Sequence, residues 1–415
     1  MRKHILDSRE KPPMKILIVQ NRYYPAIGGG EQHSYFLAKY LAIEGHEVTV
    51  YTSSSLSSKD VRSLILRPPF IVTPQTRTNL AVQEAILNTV VHRYNMNWRF
   101  WSLNWIPDMF KALKQTTTDF DLVHAHGYHH STALVSCYYA NKYNKPFVLT
   151  SHDLTIPSSL PADAQFFMKL YDKTFGRYLL KHSKALIALT EDQVEQYTEL
   201  GADARKTWVI PNGIELEEYR KRQPDPDLLI RYGIGEDDKI LLFVGRIEEY
   251  KGIQDVVDVL PQILEAFPET KFIITGQDYG YRRQLEALIT QSQLETNVIF
   301  IGPVSEEQLV QLFNVASVFV FPSQMEGFGI VLLEAMATGT LCVAYSIPAV
   351  RRVIENGING VLVRNKSELV DRILYYFSHP EEKSEIERNA LKSVQAYDIR
   401  QIVKATEQVY QRCLE

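Results

Sequence analysis

Two carboxylates flank a glycine turn in the stretch Glu326–Ala337, which reads EGFGIVLLEAMA. The stretch follows the apolar run Val318–Phe321 and a Pro-Ser pair, a pattern that predicts a strand end, a turn and a helix start. A helix that begins there points free N–H groups at whatever lies in front of it, which makes an anion site. Glu326 on the loop and Glu334 in the second helical turn would face the same crevice. Carboxylates beside a diphosphate suit hydroxyl groups, so we expect a sugar at one end and a ribose at the other.

Two cations follow another predicted strand, Ile240–Val244, in the sequence GRIEEYKG. Arg246 and Lys251 have the reach and the charge to hold a diphosphate at the carboxyl end of that strand. The alternative interpretation is a solvated charged loop with no ligand.

These motifs resemble the signatures of the retaining family 4 glycosyltransferases of the GT-B fold, in which two Glu residues flank a Gly-Phe-Gly turn with seven residues between them. The resemblance implies that Glu334 holds the ribose hydroxyls of a nucleotide-sugar and that Glu326 holds the donor sugar. It also implies that Arg246 and Lys251 stabilise the leaving diphosphate. The donor-binding positions that it implies lie on glycine turns, strand ends and the helix start: Gly29, Gly30, Gly245, Gly276, Ile301, Val304, Phe328, Gly329, Ile330, Val331 and Glu334.

The N-terminal part of the chain predicts the opening of a doubly wound α/β domain. A strand over Lys15–Gln20 leads through three glycines into a helix from Glu31 to about Glu44. The glycines lack the spacing of the dinucleotide fingerprint, so we expect no nicotinamide cofactor. They resemble the Gly-Gly-x-Glu-x-His opening of the same family, with Gly29, Gly30, Glu31 and His33 in register if one glycine is extra.

A further strand is predicted to end at His126-Gly127. Ligands of open α/β sheets gather at the carboxyl ends of strands, so His126 should project into the cleft. In the family that the chain resembles, a histidine here contacts the donor sugar. His124, two residues earlier, could instead be a packed histidine. The strand Pro146–Thr150 ends in Ser151-His152-Asp153, which again resembles the family.

Length and charge indicate two domains with different partners. The chain has 415 residues, enough for about two or three domains. Residues 1–208 hold 24 Lys and Arg against 18 Asp and Glu, a net +6, and the remainder carries −10. We expect a dispensable tail at 1–13, which does not fit a secretory signal. An acceptor-side Rossmann-like domain should cover 14–210 and be joined by a crossover helix at 399–415. A nucleotide-sugar-binding Rossmann-like domain should cover 211–398. By the resemblance the two doubly wound domains face each other across a cleft.

The basic half suggests a membrane-associated acceptor. A predicted helix over Gln165–His182 carries Lys169, Lys173, Arg177 and Lys181 at four-residue spacing, interleaved with aromatic residues. The Trp-rich stretch Trp98–Trp105 is compatible with a helix on the sheet, either as core or as a membrane contact. A monotopic contact with an anionic membrane would point to a lipid-linked acceptor, whereas a snorkelling surface helix would leave a soluble carbohydrate acceptor. No apolar run approaches the ~20 residues of a bilayer span.

The expected reaction moves a hexose or N-acetylhexosamine from UDP- or GDP-sugar to a hydroxyl with retention of configuration. We expect no metal, since Arg246, Lys251 and helix N–H groups neutralise the diphosphate. Asp119-Phe120-Asp121 looks like the Asp-x-Asp metal motif of other glycosyltransferases, but it precedes its strand rather than following it, and we interpret it as a solvated turn. We expect a cytoplasmic location, because three widely spaced cysteines form no disulfide framework, and no nucleic-acid partner. Ala349, Arg351 and Arg352 stand where many relatives carry a Glu. The alternatives are a non-enzymatic, membrane-recruited nucleotide-sugar-binding subunit and, with less support, a nucleotide-sugar epimerase.

Overall fold

The computed structural model describes residues 12–26, 28–55, 80–100, 103–152, 154, 162–223, 225–235 and 237–415. Residues 1–11, most of the predicted tail, lie outside these ranges. The chain divides into two compact units, Met1–Ile210 with Val403–Glu415, and Pro211–Ile402. Among the described residues, no helix is both long enough and apolar enough to cross a bilayer.

The first unit is built on an eight-stranded sheet in the order β10-β9-β8-β7-β1-β2-β4-β3. All neighbouring strands are parallel except the β3–β4 pair. The strands are β1 (Lys15–Val19), β2 (Glu47–Ser53), β3 (Gln83–Ile86), β4 (Thr89–Tyr94), β5 (Trp98–Phe100), β6 (Leu103–Trp105), β7 (Leu122–His126), β8 (Phe147–Thr150), β9 (Ala185–Ala188) and β10 (Thr207–Val209). The helices are α1 (Gly29–Ile43), α2 (Pro107–Thr116), α3 (Ser131–Lys142), α4 (Ala162–Tyr171), α5 (Arg177–His182) and α6 (Glu191–Glu199).

Continuous apolar runs explain the central strands of this sheet. Ile16, Leu17, Ile18 and Val19 of β1 are all fully buried, as expected for a parallel strand covered on both faces. Each such side chain contributes about 1.5–3 kcal/mol through its burial. The chain runs from β1 to β2 on one side and later returns through β7 on the other. The β1/β7 boundary is therefore the point at which the strand order reverses, where loops leave a crevice.

The second unit is a six-stranded parallel sheet in the order β13-β12-β11-β14-β15-β16. Its strands are β11 (Lys239–Val244), β12 (Thr270–Thr275), β13 (Val298–Gly302), β14 (Val318–Phe321), β15 (Cys342–Tyr345) and β16 (Val361–Val363). The helices are α7 (Pro226–Tyr232), α8 (Ile253–Ala266), α9 (Arg282–Gln291), α10 (Glu306–Val315), α11 (Ile330–Ala337), α12 (Lys366–Ser378), α13 (Pro380–Ser393) and α14 (Ile399–Leu414), the last of which continues into the first unit. Strand order reverses between β11 and β14. The two Rossmann-like sheets confirm the predicted α/β fold class.

The Trp-rich stretch does not form the helix with which its sequence is compatible. It contains the antiparallel pair β5–β6, in which Trp98 lies opposite Trp105. The large apolar residues at 98, 100, 103 and 105 alternate with polar ones within each short segment, which is the strand period rather than the helical one. Asn104 is buried and its amide donates to the side-chain oxygen of Asn21. Trp105 is 45% exposed.

The predicted helix over Gln165–His182 is also interrupted. α4 ends at Tyr171, a π-helical turn covers Asp172–Gly176, and α5 follows. A Cβ on Gly176 would lie 2.0 Å from the Tyr128 hydroxyl. Glycine therefore allows the backbone of the π-helical turn to pack directly against the Tyr128 side chain. The cations at four-residue spacing consequently do not follow one continuous α-helical stripe.

Candidate active site

In the second unit, the turn after β14 leads directly into α11. Gly329 precedes the helix in the left-handed region at φ +86°, and Phe328 is buried with its ring 6.1 Å from that of Tyr397. The first amides of α11, those of Ile330 and Val331, have no acceptor one turn earlier within the helix. The helix therefore begins at the carboxyl end of the sheet, beside the β11/β14 boundary.

The loop after β11 places Lys251 against this turn. Its ammonium forms an ion pair and a hydrogen bond with Glu326, and it lies 5.9 Å from the centre of the Phe321 ring. The Gln324 N–H donates to the Tyr250 carbonyl at 2.9 Å. A Cβ on Gly252 would lie 2.1 Å from the Pro322 carbonyl oxygen, so only glycine permits this close approach. The two loops are thus held together as one surface.

Arg246 is the second cation of the same loop. Its guanidinium donates to the Tyr250 hydroxyl and lies 3.4 Å from a carboxylate oxygen of Glu248. It also packs 5.4 Å from the centre of the Tyr279 ring. Two aromatic rings and a carboxylate therefore orient the planar fork, which suits a ligand that accepts parallel hydrogen bonds.

Other predicted donor-binding residues lie at the ends of β11, β12 and β13. Gly245 and Gly276 approach so closely that a Cβ on Gly276 would lie 1.9 Å from the Gly245 carbonyl oxygen. Ile301 and Val304 are half-buried at and just beyond the end of β13, the edge strand of the sheet. They are two strands removed from β11, so they belong to the periphery of the site.

Glu334 is buried in the second turn of α11. Nearby, the hydroxyl of Tyr219, a residue that is 1% exposed, donates to Oε1 of Glu306 at 3.3 Å. Burial raises the pKa of Tyr219 well above its usual value, and the carboxylates of Glu334 and Glu306 raise it further. Sequence reasoning missed Tyr219, because it lies in a charged, proline-containing stretch without an apolar period.

In the first unit, His126 ends β7 within a group of buried and half-buried imidazoles. Its Nδ1 is 2.9 Å from Nε2 of His152, and its ring centre is 5.7 Å from that of His33 on α1. His126 Nε2 has no hydrogen-bond partner among the described residues. His152 adopts φ +60°, which is uncommon outside glycine, and Gln193 donates to its carbonyl oxygen at 3.2 Å. A strained, half-buried residue beside an unpaired ring nitrogen is typical of a binding site.

His124 has the structural role that was considered for it. It is fully buried, with Nδ1 2.6 Å from the Tyr410 hydroxyl and Nε2 2.8 Å from the Thr150 hydroxyl. Both ring nitrogens are satisfied, so this histidine fastens α14 to β7 and β8.

Burial keeps these imidazoles neutral. Desolvation lowers the pKa of His33 to about 4 and that of His124 to about 3. Desolvation, and then the neighbouring histidines, lower the pKa of His126 and of His152 well below the ordinary value. The group can therefore donate or accept hydrogen bonds without carrying charge at neutral pH.

The predicted glycines of the first unit open α1. Gly29 and Gly30 are its first two residues, and a Cβ on Gly30 would lie 3.4 Å from the His152 ring. Glu31 is paired with Arg22 at 2.6 Å. The structure thus groups Gly30, His126 and His152 in the first unit and Arg246, Lys251 and Glu326 in the second.

Two further features of the sequence, Arg351 and the Asp-x-Asp sequence, make ordinary structural hydrogen bonds. Arg351 lies in a 3₁₀ turn and donates to the Ser346 carbonyl at 2.7 Å. Asp121 accepts from the Lys15 N–H at 2.7 Å, which occupies one end of the Asp-x-Asp sequence. Within the described ranges, no three His, Cys, Asp or Glu side chains are placed to hold a metal ion.

Two family models match successive parts of the chain, and curated relatives are also similar to it. Residues 27–218 match the model of Glycosyltransferase Family 4 and residues 227–393 match that of Glycosyl transferases group 1. An uncharacterized glycosyltransferase of Methanocaldococcus jannaschii is 29% identical over 97% of this chain and 99% of its own. The D-inositol 3-phosphate glycosyltransferase of Xylanimonas cellulosilytica is 31% identical over 59% of this chain and 60% of its own.

Solved structures share the fold over nearly all of the chain. The crystal structure of Anabaena HepE in complex with UDP superposes with a TM-score of 0.75 at 20% identity, covering 96% of this chain and 100% of that one. The same protein has been solved with UDP-glucose, with a TM-score of 0.74.

The neutral histidines should make the chain sensitive to acid. His33 has a pKa of about 4 in the folded chain against an ordinary 6.5, so between these values the unfolded chain binds a proton that the folded chain does not. Stability is then lost as pH falls below 6.5. We expect the free energy of unfolding, measured by urea titration, to fall between pH 7.5 and pH 5 by about 2 kcal/mol less in His33→Phe than in the parent.

Phe36→Leu is the matched control, since it changes packing in the same helix without removing a titrating group. It should lower the free energy of unfolding equally at both pH values. If His33→Phe keeps the full pH dependence of the parent, the histidine is not held neutral by burial.

Proposed function

The chain belongs to glycosyltransferase family 4 and has the GT-B fold, and from this premise we propose that it transfers a hexose or N-acetylhexosamine from UDP- or GDP-sugar to an acceptor hydroxyl with retained configuration. The observation that carries the proposal is the Lys251–Glu326 pair at the start of α11, beside the point where strand order reverses. Ligands of doubly wound sheets bind at such points.

The charges of this surface suit a nucleotide diphosphate. Lys251, Arg246 and the α11 N-terminus supply positive potential within two loops that are hydrogen-bonded to each other. Because the loops are held in place, these groups need little rearrangement when charge develops on a leaving diphosphate. The complexes of HepE with UDP and UDP-glucose support a uridine nucleotide as the first donor to test.

We assign the chemistry to a same-face displacement. The bond between the anomeric carbon and the diphosphate breaks, and the bond to the acceptor oxygen forms on the same face. The acceptor proton passes to the departing phosphate oxygen, so no protein nucleophile is required. Glu326 binds hydroxyls of the donor sugar, Glu334 binds the ribose, and neutral His126 contacts the sugar through its unpaired nitrogen.

The alternative is a non-enzymatic subunit that binds a nucleotide-sugar and is recruited to a membrane. The presence of Arg246, Lys251, Glu326 and Glu334 together favours the enzyme, because cations that hold the diphosphate also stabilise it as a leaving group, which a pure binding site does not need.

The acceptor is proposed to be lipid-linked, presented at the cytosolic face of a membrane. α4 and the π turn leave four large apolar side chains exposed: Phe166 at 64%, Phe167 at 44%, Leu170 at 46% and Phe175 at 53%. Lys169 and Lys173 are exposed among them, and Arg177 and Lys181 follow on α5. Exposed aromatics with neighbouring cations are the composition of an interfacial membrane contact.

The first prediction from the proposed function separates the roles of two residues. Lys251→Ala removes a charge that matters most in the transition state, so kcat should fall by about 100-fold. Glu334→Ala removes a contact made in ground and transition states alike, so it should mainly raise the donor KM. Steady-state kinetics with the preferred nucleotide-sugar measure both.

Lys366→Ala is the control for Lys251, because this exposed lysine of the same unit is also paired with a carboxylate, Asp258, at 2.8 Å. It should leave both constants unchanged. An unaltered kcat in Lys251→Ala would remove Lys251 from the proposed mechanism.

The second prediction is that transfer does not require a metal ion. Arg246, Lys251 and the helix terminus already provide the positive charge that a divalent cation would bring. Activity measured after dialysis against excess EDTA should equal that of the untreated protein. Loss of transfer with recovery on addition of Mg²⁺ or Mn²⁺ would contradict this proposal.

The third prediction concerns the membrane. The chain should co-sediment with anionic liposomes and less so at high salt, since each cation near the surface contributes about 1 kcal/mol. Lys169→Glu with Lys173→Glu should reduce the bound fraction. Lys111→Glu with Lys114→Glu, at exposed positions of α2, makes the same change in net charge and should not.

Equal sedimentation of the two double variants would argue against the proposed patch. A soluble acceptor, such as the phosphorylated polyol in the name of the Xylanimonas relative, would then be the better candidate.

A further inference from the structure

Two imidazoles of the first unit are hydrogen-bonded to each other at the carboxyl end of β7. Nδ1 of His126 is 2.9 Å from Nε2 of His152, and the two rings are nearly parallel, with an angle of 19° between their planes. The outer nitrogens of the pair, His126 Nε2 and His152 Nδ1, are buried and have no hydrogen-bond partner among the described residues. The pair therefore shares one proton between its rings and has two outer nitrogens that no described group satisfies.

The number of protons fixes opposite roles for these outer nitrogens. Both rings are neutral, because desolvation lowers the pKa of each, and a neutral imidazole carries one proton on one of its two nitrogens. Where two ring nitrogens meet at hydrogen-bond distance, one donates and the other accepts. If His152 donates, His126 keeps its proton on Nε2 and His152 Nδ1 is bare. If His126 donates, both roles are reversed, so the tautomer of His152 decides whether His126 Nε2 is a donor or an acceptor.

The start of α1 favours the arrangement in which His152 donates. A Cβ on Gly30, the second residue of α1, would lie 3.4 Å from carbons of the His152 ring and 3.7 Å from its Nδ1. The N-terminus of a helix carries a partial positive charge, and the N-cap residue here, Gly28, has no side chain with which to cap it. Glu31 in the first turn has its carboxylate paired with Arg22 at 2.6 Å. A lone pair on His152 Nδ1 is therefore more stable beside this helix end than an N–H.

The backbone of His152 is held in an uncommon conformation that fixes its ring. Its φ is +60°, a region that residues other than glycine adopt only where their surroundings compensate the strain. The Gln193 side-chain amide donates to the His152 carbonyl at 3.2 Å, and the amide oxygen of the same side chain accepts from the Leu189 N–H at 2.8 Å. Gln193, in the first turn of α6, therefore holds in place the residue whose ring is bonded to His126.

We propose that His152 is a positioning residue whose Nε2–H donates to Nδ1 of His126, so that His126 presents an N–H at Nε2 to an oxygen of the donor sugar. The inference rests on the proposed function, which makes His126 the sugar contact. A bare nitrogen would bind only the proton of a hydroxyl, whereas an N–H binds any sugar oxygen, the ring oxygen included. The bond between the rings also keeps His126 in one orientation before the sugar arrives, which lowers the entropic cost of binding.

Nitrogen-15 NMR of the ligand-free chain with labelled histidine provides the test, because the shifts of the ring nitrogens identify the tautomer. At neutral pH, we expect His126 and His152 both to be protonated on Nε2, with a scalar coupling between His152 Nε2 and His126 Nδ1 through their hydrogen bond. The signals are assigned by their loss from His126→Gln and His152→Gln. Protonation of either ring on Nδ1, or an equal mixture of tautomers, would overturn the inference.

Two substitutions of His152 separate its hydrogen bond from the bulk of its ring. His152→Leu removes the donor, so kcat/KM for the preferred nucleotide-sugar should fall by about tenfold, the scale of one hydrogen bond. His126 should then show a mixture of tautomers. His152→Gln supplies an amide N–H in place of the Nε2–H, so it should recover most of the loss and keep His126 protonated on Nε2. Equal losses in the two variants, at equal free energies of unfolding, would mean that His152 acts through packing alone and would contradict the positioning role.

His92→Leu is the matched control. His92 is a half-buried histidine of β4, three strands from β7 in the same sheet, and its loss should leave kcat/KM and the His126 tautomer as they are in the parent. The NMR measurement needs no ligand, so failure of the inference and failure of the proposed function are distinguishable. Reversed tautomers in an active chain overturn the inference alone. The expected tautomers in a chain that transfers no sugar from any nucleotide-sugar overturn the proposed function and, with it, the sugar as the ligand of His126.

Discussion

The ion pair between Lys251 and Glu326 is the contact on which the site of the second unit depends. The two side chains are 9% and 15% exposed, so each has lost most of its hydration. Removing a single charge from water costs several kcal/mol when no partner compensates it. Each loop can therefore hold its charge in this place only while the other loop holds the opposite one. The Gln324–Tyr250 hydrogen bond and the close approach of Gly252 to Pro322 keep the loops together.

Burial has the opposite chemical result in the first unit. His33, His126 and His152 lie close to one another with no carboxylate placed among the described residues to stabilise their protonated forms. Desolvation then removes the proton from each ring. The second unit thus presents paired charges suited to a phosphate, while the first presents neutral hydrogen-bonding groups suited to hydroxyls. Both sets lie where the order of strands in their own sheet reverses.

The sequence predicted the architecture well because parallel strands buried on both faces leave continuous apolar runs. β14 has the predicted bounds, and the other central strands differ from prediction by one or two residues. The prediction failed where local patterns were ambiguous. The Trp-rich stretch contains so many aromatic residues that both a helical and a strand period fit it. The pairing of β5 with β6 decided its conformation. The helix over 165–182 was predicted as continuous because its periodicity does not indicate that Gly176 packs against Tyr128.

Residue types and their spacing were sufficient to identify the family and the two Rossmann-like domains, and they supplied the residues that we propose for a donor site. Motifs of this kind are local, since a strand end, a turn and a helix start follow each other within a dozen residues. The partners of those residues are not local. Lys251 and Glu326 are 75 positions apart, and Tyr219 reaches Glu306 across 87 positions from a segment with no apolar period of its own. Which carboxylate a buried hydroxyl donates to, and which histidine is satisfied while its neighbour is not, depends on side chains that only folding brings within hydrogen-bond distance.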